Sequence, residues 1–173
     1  FFNMLEKLLS NLPNDRPAVI HSDLLIFGKK LKIIYKKIPD HFENYFNNGL
    51  CLPSFTFNKK EVNFDKFDNE SGALTNIFLQ KKGYKRTINP LHSYVLNAKT
   101  PIKNNIQSFG KNSIYEYFIK KNFYWINFGA DIKSGFSIFH HSEAIAKVLY
   151  REEIILDRSI IYKNKIIKFK YKY

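Results

Sequence analysis

The sequence is short of the residues that would mark several common protein classes. One cysteine, Cys51, cannot make an internal disulfide, so a disulfide scaffold is excluded and a reducing, cytoplasmic setting is expected. No run of about 18 apolar residues occurs, which excludes a transmembrane helix. No glycine-rich phosphate loop of either standard spacing is present. Arginine is scarce: Arg16, Arg86, Arg151 and Arg158 are the only four among 28 basic residues. The net charge of +13 is therefore carried by lysine rather than by the usual reader of phosphates and bases. Acidic residues number only 15, so the summed field attracts anionic ligands and repels polycations.

What is present reads as an ordinary globular protein. Hydrophobic residues make up 45% and charged residues 25% of 173 positions, enough for one domain over 1–173. The chain begins at Phe1, where Phe1, Met4, Leu5, Leu8 and Leu9 recur at helical spacing without a signal-peptide pattern. Ala18 to Ile20 reads as a buried strand running into a polar loop at His21, Ser22 and Asp23. Leu31, Ile34, Tyr35 and Ile38 fit one helix face that Pro39 is expected to stop, with a second helical piece at 41–46. Residues 50–57 and 93–96 read as strands, 58–70 as a polar loop, and 72–80 as a helix with Gly83 as its C-cap. Ser113 with Glu116 three residues on is a capping-box pattern that opens a helix over 113–121. A strand is predicted over 123–128, a helix over 137–150, and a hairpin over 160–173 turning near Asn164. The period-two strand at the end stops with nothing after it, so further sequence is expected to follow. Apolar strands leading into polar loops argue for an α/β layered domain with ligands at the strand ends.

Two histidine-bearing segments carry the chemistry. One runs Arg86-Thr87-Ile88-Asn89-Pro90-Leu91-His92-Ser93, the other Ser137-Ile138-Phe139-His140-His141-Ser142-Glu143. His140 and Glu143 are three apart, on one face of a helix. A carboxylate beside an imidazole fixes its tautomer and makes it a general base with an orienting partner; a surface pair of no consequence is the plain alternative. His141 points elsewhere. His21, His92, His140 and Glu143 are the set that could meet around zinc, but none lies in a recognised two-ligand spacing, and no metal is expected. Cys51, in the apolar run from Gly49 to Pro53, reads as a small buried hydrophobe.

The ordered series of motifs resembles the aminoglycoside 3-N-acetyltransferase family over about residues 15 to 165. A V-H-S-S-L…G loop is matched by Ile20-His21-Ser22-Asp23-Leu24 with Gly28 downstream, and G-T-L-x-M-P-T-F-T by Gly49 to Thr56. G-A-L…F…G-x-x-R-S-x-H-P-x-H-S is matched by Gly72-Ala73-Leu74, Phe78, Gly83 and Arg86 to Ser93. F-G-x-x-S is matched by Phe109 to Ser113, and L-L-G…T-x-x-H-x-x-E by Asn127-Phe128-Gly129, Ser137, His140 and Glu143. Departures fall at Asp23, Thr87, Asn89 and Ser137, where the family has serine, serine, histidine and threonine.

The resemblance implies a layered α/β/α sandwich around a mixed sheet with a C-terminal β-hairpin, and acetyl transfer from acetyl-CoA to a primary amine. It implies His140 as catalytic base with Glu143, and His21, Ser22, Arg86 and Thr87 beside the CoA. The family's members are longer, with further sequence after the hairpin. His92, Asp65, Asp68 and Glu70 are expected at the acceptor. The lysine surplus favours an anionic acceptor, such as a nucleotide-linked amino sugar, over a polycationic aminoglycoside. No nucleic-acid partner is expected. Two other readings stay open: a basic module binding single-stranded nucleic acid through its 17% aromatic residues, and an inactive relative of the acetyltransferases.

Overall fold

The apolar runs become the centre of a sheet because they can be buried on both faces. The structure, a computed structural model, describes residues 2–24, 37–100, 107–132 and 137–172. Strands β1 (Ala18–Ser22) and β2 (Leu50–Phe55) pair in parallel, and β1 also pairs in parallel with β6 (Tyr124–Phe128). β5 (His92–Asn97) runs antiparallel to β2, and the three-residue edge strand β4 (Tyr84–Arg86) runs antiparallel to β5. The five-stranded order is β4-β5-β2-β1-β6. A second sheet holds β3 (Glu61–Asn63) in parallel with β7 (Ile155–Tyr162), which forms an antiparallel hairpin with β8 (Lys165–Lys172).

Side-chain alternation along the strands divides the core into two layers. On one face, Ala18, Ile20, Leu50, Leu52 and Val95 pack against α1 (Phe2–Ser10), α2 (Ile38–Tyr45) and α3 (Ala73–Gln80) through Leu5, Leu9, Phe42, Leu74 and Phe78. On the other, Val19, Cys51, Tyr94, Leu96 and Trp125 pack against Ile114, Tyr115 and Phe118 of α4 (Ile114–Lys120), with α5 (Ile138–Ala146) beside it. The two helical layers and the mixed sheet make the expected α/β/α sandwich, and the C-terminal hairpin is present.

Local differences from the sequence reading have simple causes. Pro39 opens α2 at its first turn rather than ending a helix, where its missing N–H costs nothing. The stretch 31–35 lies outside the described residues. Helix α3 ends at Gln80 with an extended Lys81 as its cap, and Gly83 (φ +90°) serves the turn into β4 instead. The segment 58–70 contains β3, whose three residues are too short to show a period. Helix α5 is shorter than expected because Lys147 adopts the left-handed conformation (φ 52°) directly after Ala146. The hairpin starts earlier, at Ile155, and turns on Lys163 and Asn164, both at positive φ. Ser113 caps α4 as expected, its Oγ accepting from the Glu116 N–H at 3.2 Å, while the Glu116 carboxylate reaches the Asn112 N–H at 2.7 Å.

Candidate functional site

One end of the larger sheet collects the polar side chains. β1, β2 and β6 are parallel and finish there, and antiparallel β5 starts there. In an open α/β sheet this carboxyl end is where ligands bind. On the face that carries Val19, Cys51, Tyr94 and Trp125, alternation brings out Asn127 of β6, His21 of β1, Phe55 of β2 and His92 of β5. His21 is in register with Asn127, and Phe55 with His92. The His21 ring stacks on Trp125 (centroids 6.1 Å apart) and meets Phe55 at 6.2 Å; Phe55 meets His92 at 4.9 Å.

Both imidazoles of this row are buried. Burial pulls His21 down to about 4. His92 falls to about 3, from burial first and then from its neighbours His140 and Arg151. Both rings are therefore neutral at neutral pH, and His92 pairs through Nδ1 with the Ser108 hydroxyl.

The fourth wall is helix α5. His140 Nδ1 lies 3.1 Å from Glu143 Oε2, one turn along. With the carboxylate ionised, Nδ1 carries the proton and donates, which leaves Nε2 with its lone pair free to act as a base. Glu143 also accepts from the Tyr150 hydroxyl and from Arg151 Nη1, each at 3.1 Å. Together with the His140 bond, the leading cause, these contacts hold its carboxyl below the ordinary carboxylate range. Phe109 ties helix to sheet: its ring lies 4.8 Å from His92, 5.5 Å from His140, and beneath the Arg151 guanidinium at 5.1 Å. A cavity of about 500 Å³ opens beside the couple, lined by Glu143, Ala144, Lys147, Val148, Arg151 and Glu153.

His141, the neighbour of His140, turns inward. Its Nδ1 accepts from the Gly110 N–H at 3.2 Å and its ring stacks on Tyr115 at 6.0 Å. That contact seats α5 on the loop before α4, and so sets the position of His140.

The remaining residues singled out from sequence are placed apart from this row. Arg86 is in register with Val95, on the opposite face of the sheet. Its fork is spent on the protein: Nε donates to Ser93 Oγ and Nη2 to the Ser54 carbonyl, each at 2.8 Å, Nη1 donates to the Asp68 carbonyl, and the plane lies 3.8 Å over Phe64. Burial pulls it down to about 9. The cavity of about 420 Å³ that it lines, with Leu79, Tyr84 and Val95, is on that opposite face too. Thr87 spends its N–H on the Tyr94 carbonyl and its hydroxyl oxygen on the Tyr94 N–H, both at 2.9 Å, extending the β4–β5 ladder. Ser22 ends β1 with its side chain toward the first face.

The three carboxylates of 65–70 each hold a loop. Asp65 accepts from the N–H groups of Lys163 (2.9 Å) and Asn164 (3.0 Å) in the hairpin turn. Asp68 pairs with Lys59 at 2.7 Å and the Asn63 N–H at 2.8 Å. Glu70 accepts from the N–H groups of Phe57 and Asn58. Glu70 alone borders the row, because Phe57 meets His92 edge-on at 5.4 Å. Among the described residues, no group of three or more His, Cys, Asp or Glu is arranged to hold a metal ion. Phe109, Arg151 and Asn127 join the site only through the fold; Phe109 and Asn127 lie inside matched motifs, but sequence spacing does not reveal that Phe109 links His92 to His140 or that Asn127 stands beside His21.

No protein-family model and no curated protein sequence matches the chain. Solved structures do. The sisomicin-bound aminoglycoside acetyltransferase AAC-VIa superposes with a TM-score of 0.77 at 14% identity, over 98% of this chain and 74% of that one. The YokD protein from Bacillus subtilis gives 0.77 at 18% identity, over 96% and 77%. AAC-IIIb in its binary complex with CoASH gives 0.75 at 13% identity, over 98% and 74%. The chain therefore has the fold of the aminoglycoside acetyltransferases, as its ordered motifs led one to expect.

Proposed function

We propose that the protein is an acetyl-CoA-dependent N-acetyltransferase acting on a primary amine of a sugar. The observation that carries this reading is the His140–Glu143 couple, set by Phe109 over the polar row at the carboxyl ends of the strands. Support comes from the structural relatives, one of which holds sisomicin and another CoASH.

The residues present fit such a pair of substrates. His21 Nε2 is buried and without a partner among the described residues, beside apolar walls, as suits the thioester arm of CoA. When bound, acetyl-CoA supplies an activated acyl thioester. His140 Nε2 takes the proton that the acceptor amine must lose, directly or through a water, and Glu143 stabilises the imidazolium that results. The amine forms its bond to the acyl carbon as the C–S bond breaks, and the proton leaves with the thiol. No side-chain nucleophile is required: Cys51 is fully buried and its thiol pushed well up by burial.

Charge favours an anionic acceptor such as a nucleotide-linked amino sugar. The support is the net charge of +13 and the commitment of the carboxylates of 65–70 to their loops; the cavity beside the couple is itself balanced, with Lys147 and Arg151 against Glu143 and Glu153. The test is thiol release from acetyl-CoA against a panel of aminoglycosides and nucleotide-linked amino sugars. Turnover is expected with the nucleotide sugars. Turnover only with aminoglycosides would overturn the acceptor class, and the absence of thiol release with every amine would overturn the activity.

A further inference from the structure

Three polar atoms on the reaction face have no partner among the described residues: His21 Nε2 and both amide atoms of Asn127. His21 is 6% exposed, and all three atoms are shielded from solvent. Strands β1 and β6 are parallel neighbours with His21 opposite Asn127, so the two side chains stand about 5 Å apart on one face. Native interiors rarely leave such groups unpaired, because each has given up its hydrogen bonds to water without replacement. Here they adjoin one another, at the end of the sheet where the base sits.

The chemistry of the set is specific. Asn127 presents an N–H donor and a carbonyl acceptor in one plane, and a neutral imidazole adds one more donor or acceptor at Nε2. The complement is a planar group with its own N–H and C=O, which is a secondary amide. The walls suit short alkyl links on either side of it: Trp125 stacks on His21 at 6.1 Å and Phe55 meets it at 6.2 Å. A sugar acceptor offers hydroxyl and amine groups instead, and would leave those walls against polar surface. The thioester arm of CoA alternates amides with alkyl links.

We propose that Asn127 and His21 form the binding floor for a secondary amide of the CoA thioester arm, with Asn127 fixing how far the arm enters. The inference rests on the acetyltransferase reading and adds a residue to it. Asn127 is a positioning residue: the arm it holds sets the acyl carbon against His140.

Trp125 is the single tryptophan of the chain and lies against His21, so its fluorescence reports on this floor directly. Titration with CoA is expected to change Trp125 emission saturably. N-acetylcysteamine, which has one amide, is expected to compete, and 1-pentanethiol, the amide-free chain of equal length, is not. Asn127→Leu is expected to weaken CoA binding by about tenfold or more while the melting temperature holds or rises, since a buried unpaired amide is removed. If 1-pentanethiol competes as well as N-acetylcysteamine on the wild-type protein, or if Asn127→Leu binds CoA as the wild type does, the inference is overturned. Wild-type turnover of acetyl-CoA alongside either result overturns the floor alone; failure of the wild type both to bind CoA and to release thiol overturns the acetyltransferase reading with it.

Discussion

The two faces of the larger sheet are built from the same strands and do different work. On the face toward α1, α2 and α3, the buried cluster is apolar from Ala18 and Ile20 through Leu50, Leu52 and Val95, and its partners Phe42, Phe46 and Phe78 are wholly buried. On the face toward α4 and α5, the sheet is apolar away from one end; at that end, where β1 and β6 finish and β5 starts, it presents Asn127, His21 and His92. One charged residue does reach the first face, Arg86, but its donors are consumed by Ser93, Ser54 and Asp68. The second face holds His21, whose Nε2 has no partner among the described residues. Buried polar atoms without a partner among the described residues occur on both faces, Ser54 Oγ and the Tyr84 hydroxyl on the first and His21 Nε2 and the Asn127 amide on the second, but only on the second do they adjoin one another beside His140.

The largest expected effect lies on the second face. His140→Ala removes the proposed base and is expected to lower kcat by about 10²–10⁴-fold. Its side chain is half exposed, so the melting temperature should hold. Steady-state kinetics against calorimetry on the same sample checks both halves. Unchanged turnover would remove His140 from the mechanism and erase the distinction between the faces.

The mirror experiment is Phe42→Ala. Phe42 is fully buried and packs edge-on against Phe128 at 5.1 Å. The cavity left behind is expected to cost about 3–5 kcal/mol of stability, read by denaturant unfolding, with kcat per folded molecule unchanged. A fall in kcat equal to that of His140→Ala would mean that the two layers are not separable.

Acid sharpens the comparison, because only the second face buries neutral histidines. His21 and His92 have native values of about 4 and about 3, below the ordinary value of about 6.5. Between those limits the unfolded chain binds protons that the folded chain refuses, so stability falls as pH falls. The loss begins below about pH 6.5 and continues to about pH 4 for His21 and about pH 3 for His92. Each histidine adds a slope of about 1.4 kcal/mol per pH unit. His92→Gln is expected to reduce the slope by one such increment in denaturant titrations from pH 6.5 to 4. An unchanged slope would mean that His92 does not resist protonation.

How much of this was legible in the sequence follows the same division. The buried strands β1 and β2 were plain as short apolar runs bounded by polar residues, and the α4 cap was plain because Ser113 and Glu116 satisfy backbone donors locally. The His140–Glu143 couple was readable for a similar reason: its spacing is a local property of a helix. Pairings between distant segments were not. Asn127 stands in the run Tyr124 to Phe128 as a polar interruption, and only the β1–β6 register sets it beside His21. Arg86 has the residue type of an anion reader, but its direction is fixed by pairing with Val95, which turns it to the other face. Asp65, Asp68 and Glu70 cluster in sequence, yet each faces the backbone donors of a different loop.

The smallest expected effect tests how closely α5, which carries the proposed base, is tied to its neighbour. Ser113 Oγ accepts from the Glu116 N–H, donates to the Gly110 carbonyl at 2.7 Å, and lies 3.2 Å from His141 Nδ1. Ser113→Ala removes a helix cap, which costs about 1 kcal/mol. It also loosens the Gly110 loop, whose N–H holds His141 and so seats α5. Because catalytic geometry tolerates little displacement, a severalfold loss of kcat is expected with little change in KM for acetyl-CoA. Asp65→Asn is the control. It weakens the grip on the hairpin turn, remote from α5, and should leave kcat unchanged even where the melting temperature falls. If Ser113→Ala loses stability alone, as Asp65→Asn does, then α5 is held by contacts other than His141, and the path from the α4 cap to the base is broken at that residue.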